Sequence, residues 1–463
     1  MLSSRLFKAL NVGCLLFLLV VFLPHGQSTT LTHDYTTIDV RQFVQLKHTS
    51  HPVVIDARNP DAFNGWAMDN ENRGGHIPEA RLLSADWIVR DLSDLNTAYK
   101  RTGITSEDLV VIYGYNKKQS IIVADWLVNE KELNPDNISV LQGGYNQWSE
   151  NKNNPVDRLP NYHLLMPATE LNRQINTTPE LKIVEIGWDG GKGKNYRKGH
   201  IPAALYWNDL EFEHPPIYEL NSVQSIRDSL KQLGITATTP VVVYSTESIG
   251  SARGAAVMKY AGIKNVTMLN GGKEAWEVAG FPLEKGWVEP IPSDNFGTNQ
   301  PGDSSVVINI NQAKKLRLNL NGALVSIRSW KEYTGQISGY DYFQKRGRIT
   351  GALWGQAGDS AWDMNAYHNP DNTMRSSQEI QTFWNQWGIY PDRMQLAFYC
   401  GNGWRASEVW WYAQVMGYTN NSIYSSGWMR WRNDPANPIS TGILTRKESI
   451  QDWQMASGKT SFN

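Results

Sequence analysis

The chain has 463 residues, which at roughly 150 residues per domain points to about three domains. It is 41% hydrophobic and 19% charged, inside the globular range, and 44 basic against 45 acidic residues leave a net charge of −1. That balance offers no positive excess to grip nucleic-acid phosphates or an anionic bilayer, and two cysteines build neither a disulfide scaffold nor a zinc or iron–sulfur site, so no nucleic-acid partner and no cofactor are expected.

Residues 1–30 read as an export signal. Arg5 and Lys8 form a basic start, Val12 to Leu23 an apolar run broken by Pro24, and Gly26-Gln27-Ser28 a small-residue cleavage region. The run is short for a bilayer span; an uncleaved anchor is the alternative. Cys14 precedes most of the apolar run and reads as an ordinary signal residue. The expectation is a periplasmic or otherwise exported protein, with no stable membrane span after cleavage and with Cys400 as its remaining cysteine.

Downstream, one pattern is written three times. In residues 31–158 an apolar run, Val53-Val54-Ile55-Asp56-Ala57-Arg58, precedes Gly75-His76-Ile77-Pro78, then Val110-Val111-Ile112-Tyr113, then Gly143-Gly144-Tyr145-Asn146-Gln147-Trp148. Residues 159–290 repeat it with Ile183-Val184-Glu185-Ile186, Gly199-His200-Ile201-Pro202, Val241-Val242-Val243-Tyr244 and Gly271-Gly272-Lys273-Glu274-Ala275-Trp276. After a breaker-rich linker, 291–305, residues 306–463 carry a worn copy: Leu324-Val325-Ser326-Ile327-Arg328, Gly347-Arg348-Ile349, Leu396-Ala397-Phe398-Tyr399 and Gly427-Trp428-Met429-Arg430-Trp431. Gly144, Gly272 and Gly427 lie 128 and 155 residues apart, a domain-sized duplication. Short β-branched runs alternating with helical stretches predict α/β domains, each with a mainly parallel sheet buried on both faces. In the third copy Ala406, Val409, Trp410, Ala413 and Met416 fall at helical spacing, with Gly417 suited to end the helix.

Chemistry concentrates at one strand-to-helix turn. The first copy continues after Tyr113 as Gly114-Tyr115-Asn116, the second after Tyr244 as Ser245-Thr246-Glu247, and the third after Tyr399 as Cys400-Gly401-Asn402-Gly403-Trp404-Arg405-Ala406. A short loop feeding a helix turns successive N–H groups into its concavity, and its glycines permit the backbone angles this needs. Those amides and the charge of Arg405 favour thiolate over thiol, so Cys400 is expected to be reactive.

Cys-x-x-Gly-x-Arg after a buried strand, with the Gly-His-Ile-Pro element and the Gly-Gly-x-x-x-Trp ending, resembles the rhodanese family of sulfurtransferases. The three copies behind an export signal are similar to exported three-domain members of that family. The resemblance implies three tandem rhodanese-like domains, with Cys400 as the persulfide-forming residue and Gly401, Asn402, Gly403, Trp404, Arg405 and Ala406 as the cradle. It implies a sulfur donor such as thiosulfate, release of sulfite, and an external acceptor, cyanide or a thiol. Two departures bear on a dianionic donor: Ser326 stands where the first copy has Asp56, and Glu332 stands where two-domain members carry a second arginine. Four residues between Cys400 and Arg405 make a ring that suits one sulfur atom better than a phosphoryl group.

Plainer readings stand beside these. Cys400 as an inert core thiol is the alternative to a nucleophile. His76 and His200 precede Ile-Pro in copies without a nucleophile, while the third copy has Arg348 there, which favours a structural turn over a catalytic base. Arg328 is expected to tie strand to loop, a reach into the site being its alternative. Of 19 tryptophans the third copy holds 11, which packing accounts for, except Trp404 inside the loop. Copies one and two read as scaffold or docking surface, and a persulfide carrier or redox sensor with little turnover is the rival to an enzyme.

Overall fold

The computed structural model describes residues 33–341 and 343–458; the export signal read in residues 1–30 lies outside them. Each sequence copy folds around a five-stranded sheet, and all strand pairs in these sheets are parallel. The order in the third is Val307–Ile308, Asn421–Tyr424, Gln395–Tyr399, Gly322–Ser326 and Leu353–Trp354, and the other two sheets repeat it. The strands ending at Tyr113, Tyr244 and Tyr399 are therefore the central ones. Their residues Val110–Tyr113, Val241–Tyr244 and Leu396–Tyr399 are buried, as a sheet covered by helices on both faces demands.

The motifs that recur in sequence recur as contacts. Each central-strand tyrosine accepts a hydrogen bond at its hydroxyl from the isoleucine N–H of its Gly-x-Ile element: Ile77 to Tyr113 at 3.1 Å, Ile201 to Tyr244 at 3.0 Å and Ile349 to Tyr399 at 3.3 Å. Each closing tryptophan donates its indole N–H to a proline carbonyl six or seven residues on: Trp148 to Pro155, Trp276 to Pro282 and Trp431 to Pro438. His76 and His200 stack on Phe63 and Tyr196 with ring centroids 3.7 and 4.0 Å apart, and Arg348 takes the same place over Tyr333. These are buried structural positions, and none lies at a nucleophile.

The second and third domains share one hydrophobic cluster in addition to one of their own each, whereas the first has its own alone. The shared core runs through the helices Ser248–Ala261 and Trp404–Val415, which follow the two central strands and pack on each other. In the third copy a further helix, Arg446–Ala456, follows the closing segment, and 355–376, between the strand Leu353–Trp354 and the helix Ser377–Gln386, forms an excursion that reaches its neighbours. His368 in it meets Ser248 at 3.1 Å, and Asp371 accepts from the Trp87 indole at 2.6 Å. Among the described residues no helix is long and apolar enough to cross a membrane.

Candidate active site

Cys400 follows the central strand Gln395–Tyr399 at its C-terminal end, beside the strand Gly322–Ser326, where the strand order reverses and open parallel sheets present their ligand sites. The helix Trp404–Val415 begins four residues later with Gly403 at its cap, φ +96°. The N–H of Gly403 donates to Cys400 Sγ at 3.2 Å, so the sulfur sits against the positive end of a 12-residue helix. The loop is pinned from behind by the helix Gly427–Trp431, whose Trp428 and Met429 N–H groups donate to the carbonyls of Cys400 and Gly401 at 2.9 Å each. Gly427 is required for that approach. Its φ is +45°, and a Cβ there would lie 2.6 Å from the Cys400 carbonyl oxygen.

Cys400 is fully buried, and it is the sole free cysteine among the described residues. Burial alone would equally suit a core thiol. The amide on Sγ, the helix terminus and a cavity against the same loop are the features a packing role does not require. That cavity, of about 170 Å³, lies between the second and third domains. Asn402, Trp404 and Arg405 form its third-domain wall with Tyr340 and Trp362; Trp188, Asp209, Glu213 and Glu247 face them from the second. Ala406 is buried in the first helical turn and is not part of that cavity's wall.

Arg405 does not stand as a free positive charge on the loop. Its guanidinium makes a fork with Glu332, Nη1 to Oε2 at 2.9 Å and Nη2 to Oε1 at 3.1 Å, and reaches the Tyr340 hydroxyl and the Ser360 carbonyl, each at 3.2 Å. Burial would push the Glu332 carboxyl up, but Arg405 and Arg328 overcome it and hold the group at about 2. Arg328 donates to Glu332 at 3.1 Å and to the carbonyls of Gly347 and Ser338, so it ties strand to loop. Glu332, noted in the sequence as a missing arginine, is thus the anion that organises two arginines. Arg405 and Tyr340 both lie within electrostatic reach of Cys400.

Tyr340, Trp188 and Glu213 carried no sequence signal, and Arg253 only a positional one. They come from loops, a short strand and a helix far along the chain and meet the site through tertiary packing alone. The one available hint was that Arg253 follows Ser245, the second copy's counterpart of Cys400, by eight residues and so sits in the helix after the equivalent loop.

The rhodanese-like domain model matches residues 39–151, 168–279 and 310–434, and the chain belongs to that family. It is a sulfurtransferase. It is 34% identical over 397 residues to the thiosulfate sulfurtransferase YnjE of Escherichia coli, covering 84% of this chain and 88% of that one. The sulfur carrier protein TtuD of Thermus thermophilus is 27% identical over 274 residues, 57% of this chain and 92% of its own. Among solved structures, wild-type EanB superposes with a TM-score of 0.84 at 35% identity, covering 89% of this chain and 99% of that one. The anaerobic ergothioneine biosynthesis enzyme from Chlorobium limicola, in complex with its natural substrate trimethyl histidine, gives 0.83 at 34% identity, covering 89% and 100%.

Proposed function

We propose that this sulfurtransferase moves a sulfane sulfur from a thiosulfate-type donor, through a persulfide on Cys400, to an external acceptor. The observation that carries the reading is the Gly403 N–H on Sγ at the head of the helix Trp404–Val415. The Cys400 thiolate attacks the outer sulfur of thiosulfate. A new S–S bond forms, the old one breaks, and its electron pair leaves on sulfite. An acceptor nucleophile, cyanide or a thiol, then attacks the outer sulfur, and the electron pair of the Cys400–sulfur bond returns to Cys400. Loop amides stabilise negative charge on the sulfur being transferred, as an oxyanion hole does for oxygen. The cycle is redox-neutral, and no other cysteine is found among the described residues to resolve the persulfide internally.

A second reading concerns the acceptor. The cavity beside the loop carries five aromatic residues and three carboxylic acids among its walls, a surface that suits an organic cation, and the neighbouring ergothioneine enzyme is described with trimethyl histidine. Purified protein preloaded with thiosulfate and offered cyanide, a thiol or a trimethylammonium acceptor in separate reactions distinguishes these. Thiocyanate release supports the general transferase, preferential sulfur transfer to the cationic acceptor supports the second reading, and loading without turnover to any of them supports a carrier. Export, with a periplasmic location, is proposed on Arg5, Lys8 and the run Val12–Leu23, and N-terminal sequencing of the protein from fractionated cells tests it.

A further inference from the structure

The second domain has no cysteine, yet two of its buried side chains grip the sulfur loop of the third. One carboxylate oxygen of Glu213 accepts from the Trp404 indole N–H at 2.6 Å. The other accepts from Arg253, Nη2 at 2.9 Å and Nε at 3.2 Å. Arg253 Nη2 also donates to Ser425 Oγ at 3.0 Å. Its Nη1 lies 2.8 Å from where a Cβ of residue 403 would stand, and among the described residues it has no hydrogen-bond partner. Both side chains are fully buried.

For stability alone this is a poor arrangement. Desolvating a carboxylate and a guanidinium is costly, a well-packed apolar pair does as well or better, and an orphaned buried N–H adds a further penalty. What an apolar pair cannot do is fix direction. The fork sets the Trp404 ring, which walls the cavity, and fills the space a side chain at position 403 would need, beside the glycine whose N–H meets the sulfur. We propose that Glu213 and Arg253 are positioning residues for sulfur transfer, by which the nucleophile-free second domain holds Gly403 and Trp404 in register with Cys400. This rests on the persulfide reading above, and its test separates the two.

Full-length protein with Glu213→Gln, Arg253→Met or Ser425→Ala is compared with wild type by the rate of sulfur loading over a range of thiosulfate concentrations, and by hydrogen exchange of the peptides spanning residues 400–410 and, as a remote control, 114–124. The expected result for the Glu213 and Arg253 variants is a limiting loading rate lower by about tenfold or more, with half-saturating thiosulfate within about twofold of wild type. Exchange should accelerate in 400–410 and not in 114–124. Ser425→Ala, which removes one hydrogen bond and no charge, should move both readouts the same way by a smaller factor, and it decides the matter if the other two do not fold. Unchanged loading and exchange in a folded variant, or acceleration spread equally over both peptides, overturns the proposal. Should wild type take up no sulfur, the persulfide reading fails, and exchange in 400–410 alone decides whether the grip exists.

Discussion

Arg405 and Glu332 face each other as a two-toothed fork, with both nitrogen–oxygen pairs between 2.9 and 3.1 Å and both side chains buried. The arginine that follows the sulfur loop is therefore held by a carboxylate 73 residues upstream in the same domain. Removing that carboxylate leaves two buried guanidinium groups, Arg405 and Arg328, facing one another without an anion. Glu332→Gln should cost about 3–5 kcal/mol of stability, read as a shift of the urea unfolding midpoint, and should slow sulfur loading.

The same pair makes the fold acid-sensitive in a defined window. Glu332 titrates at about 2 in the folded chain against an ordinary value of 4.5. A group whose folded value is depressed contributes stability that is complete above its unfolded value and is lost as pH falls through the folded one. Unfolding free energy should thus decline between pH ~4.5 and ~2, with about 3 kcal/mol of the decline due to this group. Denaturant titrations at several pH values check it. The Glu332→Gln variant should show a shallower decline by that amount.

Gly427 and its first-domain counterpart Gly144 give a matched pair. A Cβ at 427 would meet the Cys400 carbonyl at 2.6 Å, and one at 144 would meet the Gly114 carbonyl at 2.2 Å, each from a backbone at positive φ. Alanine at either site should destabilise its domain by about 1–3 kcal/mol. Gly427→Ala should in addition lower sulfur loading at a temperature where the chain is folded, whereas Gly144→Ala should leave loading unchanged, because only the former displaces the loop that carries the sulfur.

His200 accounts for a different kind of expectation. Its ring stacks on Tyr196, its Nδ1 lies 2.9 Å from the Tyr196 carbonyl oxygen, and it is fully buried. His200→Ala should lower the thermal midpoint, with a cost of about 1–3 kcal/mol, and leave the sulfur-loading rate at its wild-type value. A large fall in rate with unchanged stability would restore the catalytic-base reading of this element.

Much of this was legible in the sequence because the gene writes it three times. The isoleucine of the Gly-x-Ile element, the tyrosine ending the central strand and the tryptophan closing each copy recur at matched places, and each turns out to make the same backbone contact in every domain. Cys400 stood out by contrast with Gly114 and Ser245 at the equivalent turns. The charge of Arg405 was legible, but its partner was not, because Glu332 first read as the absence of an arginine. The contacts of Glu213 and Arg253 were silent for a plainer reason. These side chains act across a domain boundary on residues 191 and 172 positions away, and no local pattern or periodicity encodes such a pairing.

The most direct measurement is the mass of the peptide containing Cys400 after the full-length protein is incubated with thiosulfate. A gain of one sulfur atom on that peptide, reversed by cyanide and missing from Cys400→Ser, is the predicted result. Wild-type turnover by Cys400→Ser, or sulfur found on another peptide with Cys400 unchanged, would contradict the account.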